Sequence, residues 1–173
     1  MKKKKNLYRS ILCSNKGFSL IELIVVIAIM AVAVGLVTIT YTLVHNANVA
    51  KAANMLDTAF NKARIQSMAK GPDAGQLTVW IDGGVMYYTI GDPDTESPTA
   101  VNSAVINISY SADGSSWLGP NVDMSQVVYR FNSAGMVIQS GAFLPREYAF
   151  SYGTRRVDVI FFLETGKHMT ELQ

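Results

Sequence analysis

From Phe18 to Val44 the chain runs for 27 residues with a single charge, Glu22, and Leu23 to Val37 is an unbroken run of apolar residues and glycine. About 20 helical residues, rising about 1.5 Å each, cross a bilayer core. The run therefore predicts a membrane-spanning helix. Val49, Ala52, Ala53, Leu56, Ala59, Phe60 and Ala63 then recur at helical spacing, with Lys51, Asp57, Lys62 and Arg64 on other faces. Gly71-Pro72 supplies stop signals. Residues 18–70 read as one helix of about 80 Å. Its part 18–44 is expected to face lipid. Its part 45–70 is amphipathic and lays a stripe of small residues on a globular head.

After Gly71 the period changes to two. Leu77, Val79 and Ile81 alternate with polar or amphipathic neighbours, and Gly83-Gly84 turns the chain into Val85–Ile90. Residues 91–98 are a polar loop. Ala104, Ile106, Ile108 and Tyr110 form one face, and residues 112–123 a second loop. Val127, Tyr129 and Phe131 follow, then a turn at 132–135 into Met136–Gln139. Tyr148, Phe150 and Tyr152 make another face, and Val157, Val159, Phe161 and Leu163 the most apolar one. Thr165-Gly166 turns into Lys167–Leu172. These are about eight short strands, so residues 71–173 are expected to form an antiparallel sheet or sandwich and the whole chain an α+β fold. Phe131-x-x-x-Gly135 and Phe162-x-x-x-Gly166 echo each other, each ending a strand in a glycine turn.

Composition sharpens this. With 49% apolar and 16% charged residues among 173, the chain is no disordered tail. The net charge of +2 is unevenly spread. Residues 1–17 hold Lys2, Lys3, Lys4, Lys5, Arg9 and Lys16 and no acid, leaving nine basic against thirteen acidic residues elsewhere. A broad nucleic-acid face is thus disfavoured. Cys13 is the one cysteine and there are two histidines, His45 and His168, so no intrachain disulfide forms and little is left for zinc. No phosphate loop, dinucleotide fingerprint, zinc-protease motif or nucleophile elbow occurs. The chain is expected not to be an enzyme and to need no cofactor.

Basic residues precede the apolar run and none follows until Lys51. The N-terminus is then cytoplasmic and the head outside, on a single-pass anchor in the cytoplasmic membrane. An ordinary secretory signal with an Ala-x-Ala cut after Ala33 is the competing reading. Against it, the apolar run is roughly twice the usual length. A carboxylate also sits within it, costing roughly 2.5–3.5 kcal/mol at membrane depth.

The stretch Lys16-Gly17-Phe18-Ser19-Leu20-Ile21-Glu22-Leu23-Ile24-Val25-Val26-Ile27-Ala28-Ile29 resembles the class III leader junction of type IV prepilins and type II secretion pseudopilins. The resemblance implies a basic leader, residues 1–17, cut by prepilin peptidase between Gly17 and Phe18. It further implies N-methylation of Phe18 and an assembly role for Glu22. Cleavage would expose an α-amine with a reference pKa near 8, one turn from Glu22. In a filament the amine of one subunit can neutralise the carboxylate of the next, which favours assembly and fixes axial register. Ile39 stands where many major pilins carry proline. The head resembles the GspH/FimT group of minor pseudopilins, through its late phenylalanine-to-glycine hairpin and final Thr165-Gly166-Lys167.

The implied function is a minor pilin or pseudopilin, a structural subunit of a pilus, a type II secretion pseudopilus or a DNA-uptake filament. Its implied partners are prepilin peptidase, other pilins, an assembly ATPase and a membrane platform protein. The alternatives are a membrane-tethered β-domain that binds a ligand or surface through loops 91–98 and 112–123, and a globular protein secreted after cleavage at Ala33. Two secondary candidates stand beside these. Asp92, Asp94 and Glu96 alternate as calcium loops do, without the turn glycine of an EF-hand. Arg155-Arg156, near Tyr148 and Tyr152, could contact nucleic acid.

Overall fold

The computed structural model describes residues 18–103, 105–138 and 143–173, and the backbone alone at Thr38 and Ile39. One helix, α1 (Leu20–Lys70), is followed by ten strands: β1 (Leu77–Asp82), β2 (Val85–Ile90), β3 (Thr99–Ala100), β4 (Asn107–Ser111), β5 (Trp117–Leu118), β6 (Met124–Phe131), β7 (Val137–Ile138), β8 (Glu147–Tyr152), β9 (Arg155–Phe162) and β10 (Lys167–Leu172). The described residues divide into two compact units, the first ending at Tyr41 and the second running over Thr42–Gln173.

In the second unit, α1 packs on two antiparallel five-stranded sheets, ordered β3-β2-β1-β6-β7 and β10-β9-β8-β4-β5. The α+β architecture read from the sequence is present. All seven residues of the expected helical stripe, Val49 to Ala63, are buried. The alanines let the helix backbone approach, and Phe60 fills the centre. Its ring stacks on Phe161 at 4.0 Å and 8°, and meets Phe131 edge-on at 5.0 Å. Tyr129 and Tyr148 are fully buried beneath it, and their hydroxyls satisfy each other at 2.8 Å. The Tyr129 hydroxyl also lies 2.7 Å from the Pro145 carbonyl.

Ten strands replace the expected eight. β3 follows the polar loop and adds two residues to the edge of β2. β5 arises inside the expected 112–123 loop, because Asp113 closes a turn that brings Trp117 and Leu118 back against Ser111 and Tyr110. Ile106 precedes its strand, yet it is buried as expected. Tyr152, expected on a buried face, is partly exposed at the end of β8 and stacks on His45 at 4.5 Å. Ala104 and Gln139, assigned to strands from the pattern, lie outside the described residues.

The two echoed glycine turns meet. Gly135 and Gly166 both have positive φ, 76° and 62°, and a Cβ on Gly166 would collide with the Gly135 carbonyl oxygen. The Arg64 guanidinium of α1 donates to that same oxygen at 2.9 Å. What looks in sequence like two independent hairpins is one junction, where both turns close against the helix.

Candidate processing and assembly site

Gly17 and the basic leader lie outside the described residues. From Phe18 the site is visible, and its local order comes from a reciprocal cap. The Ser19 hydroxyl accepts from the Glu22 amide at 3.2 Å, while the Glu22 carboxylate accepts from the Ser19 amide at 3.2 Å and faces its hydroxyl at 3.4 Å. This is a capping box, with Ser as N-cap and Glu three residues on. It satisfies two amides that the first helical turn would otherwise leave open. It also sets the carboxylate at the positive end of the helix dipole. Ser19 is the N-cap of α1, and the sequence carries its signal, Ser-x-x-Glu directly before an apolar run.

Beyond the cap, the large apolar side chains from Leu20 to Val44 are exposed, Leu20 at 76% and Val37 at 68%. A helix apolar all round needs a non-aqueous or protein environment. By length and composition α1 can cross a membrane. The helix is continuous through this stretch. Thr40 returns its hydroxyl to the Leu36 carbonyl at 3.0 Å, a bond that bends helices slightly but keeps them intact. Ala31 and Ala33, the alternative cleavage signal, lie inside the helix.

The secondary candidates fare differently. Asp92 closes its own turn, accepting from the Asp94 amide at 3.0 Å. Among the described residues no group of three or more His, Cys, Asp or Glu side chains is placed to hold a metal ion, and Asp92, Asp94 and Glu96 form none. The basic–aromatic grouping at 148–156 is not assembled as a stacking platform. Tyr148 is fully buried. Arg156 binds Asp158 at 2.7 Å and lies 4.4 Å above the Trp117 ring. The histidines make separate contacts, His45 with Tyr152 and His168 with Asp57 at 3.3 Å.

Among the described residues three carboxyls of the head carry shifted proton affinity, and that of Glu164 is lowered, first by a bond to its own backbone amide. Burial, and then the nearby Asp158 charge, raise that of Glu147. Amides of Ser116 and Ser115 hold Asp113 well below the usual carboxylate range.

Residues 12–38 match the family model described as the prokaryotic N-terminal methylation motif. The chain has the N-terminus of a type IV pilin-like protein. Searches of curated proteins and of solved structures gave no match. The matched stretch spans the Gly17–Phe18 junction, the capping box and the start of the apolar helix. Pilin-like proteins are structural subunits, and the motif implies prepilin peptidase processing and assembly with other pilins. The long apolar helix fits a single-pass membrane anchor.

Proposed function

We propose that this pilin-like chain is a minor pilin or pseudopilin. It is cut between Gly17 and Phe18, methylated at the Phe18 amine, and built into a filament through residues 18–44, with the 71–173 head outside the cytoplasmic membrane. Residues 45–70 join the two by packing on the head. The observation that carries this reading is the methylation motif laid over a helix N-terminus that presents Glu22. An assembly ATPase and a platform protein supply the work, and the GspH/FimT likeness of the head favours a minor subunit over a major one.

Magnitudes are consistent with such a role for Glu22. The capping box and dipole together offset about 1–2 kcal/mol. A carboxylate costs roughly 2.5–3.5 kcal/mol at the centre of a spanning helix on the insertion scale, and Glu22 lies in the first turn. The cap offsets part of that cost in the unassembled subunit. A neighbour's α-amine supplies the remainder, so the carboxylate draws subunits together.

Glu22→Ala tests this in cells by two readouts. The variant should still be cut after Gly17, and it should disappear from sheared filaments. Normal incorporation of the Ala variant would overturn the assembly role, and loss of cleavage would move Glu22 to peptidase recognition.

A further inference from the structure

β10 is the edge of the second sheet, and no described strand lies on its outer side. It pairs with β9 in the register Lys167↔Phe162 to Leu172↔Val157. In continuation of that register, the Gln173 amide donates to the Arg156 carbonyl at 3.0 Å. Directly opposite residues that bond each other are the hydrogen-bonded pairs of an antiparallel ladder. Lys167, Met169 and Glu171 therefore spend their backbone groups on β9. The far side of β9 agrees, since the Phe161 amide donates to Arg146 at 2.7 Å, directing its alternate positions to β8. The amides and carbonyls of His168 and Thr170 point to the open edge.

Side chains divide the same way. His168 and Thr170 turn to Asp57 of α1, at 3.3 and 3.4 Å. Lys167, Met169 and Glu171 stand exposed on the outer face. Glu171 is directly opposite Asp158, a 5% exposed carboxylate already bound by Arg156. Like charges in that position are unfavourable. The one lysine or arginine of β10 is Lys167, at the other end of the strand.

We infer that β10 is a self-complementary edge that adds, antiparallel, to β10 of a second copy, each Lys167 facing the other copy's Glu171. In this register Met169 meets Met169 on the two-fold axis. The His168 and Thr170 backbones exchange four hydrogen bonds, and the charged residues fall in non-hydrogen-bonded pairs, where side chains approach closest. Sliding by two residues either way sets Met169 against Glu171 or against Lys167 and loses both ion pairs. Strand addition of this length stays below the roughly 1,200 Å² of a stable interface, so the pair is transient and is read by trapping. It stands on the sheet edge alone and does not depend on how the N-terminus is processed.

The test uses the purified full chain in detergent with Cys13→Ser. Met169→Cys places two thiols across a pair with Cα atoms about 4.5 Å apart, within disulfide reach. Copper-phenanthroline oxidation should give a disulfide-linked dimer, and Thr170→Cys should give far less. In the Met169→Cys chain, Lys167→Glu and Glu171→Lys should each cut the yield roughly tenfold by making both symmetry-related pairs repulsive. The double reversal should restore it. Equal yields at 169 and 170, or a double variant as poor as the single ones, would overturn the inference.

Discussion

Ser19 and Glu22 show how a single turn can hold a charge ready for use. The serine caps the helix, the glutamate returns the bond, and the carboxylate is fixed where the dipole favours it. Ser19→Ala should raise amide exchange at Glu22 about fivefold, the equivalent of about 1 kcal/mol of lost capping, and Ser19→Thr should restore protection. Hydrogen exchange on the full chain in detergent reads this. Glu147 gives a second residue-level outcome. Its folded-state proton affinity is raised, so its contribution favours the fold at low pH and is lost as pH rises through the folded value. Glu147→Gln should melt higher than wild type at pH 7 and match it below about pH 4. Asp113 has the opposite sign. Its depressed carboxyl stabilises above the ordinary carboxylate range and loses that contribution as pH falls, so Asp113→Asn should flatten the acid limb of the melting curve.

Among the elements, α1 and the hairpins were the most legible in the sequence. The stripe Val49 to Ala63 is buried because a 3.6-residue period can mean little else once it ends at Gly71-Pro72. Leu77, Val79, Ile81, Val127, Tyr129 and Phe131 alternate as a half-buried strand must, and all six are buried. The short strands were hidden. β3 and β5 are two residues each, too brief for a period, and β5 depends on side-chain bonds from Asp113 that no hydropathy pattern carries. The meeting of Gly135 with Gly166 was equally hidden, since it joins turns 31 residues apart by sequence number. Gly166→Ala sets a methyl against backbone with nowhere to relax, and should destabilise by roughly 1–3 kcal/mol. Phe60→Ala, which empties the aromatic centre, should cost about 3–5 kcal/mol. Thermal melts of the full chain compare the two.

At the scale of the molecule, the division of labour follows from where apolar surface is left uncovered. Residues 42–173 bury their own core, whereas the large apolar side chains of residues 20–37 lie exposed and require lipid or other subunits. The pilin-like character was legible in a short stretch around Gly17, because the methylation motif is a local chemical signature. The head carries no comparable signature, since a β-sandwich core constrains packing and leaves the choice of partner to loops and edges. The central claim is that Glu22 acts opposite a freshly exposed Phe18 amine, and mass spectrometry of the mature N-terminus tests it most directly. The account predicts a chain that begins at Phe18 and carries one methyl group on its α-amine. An intact lysine-rich leader, or a chain beginning at residue 34, would contradict it.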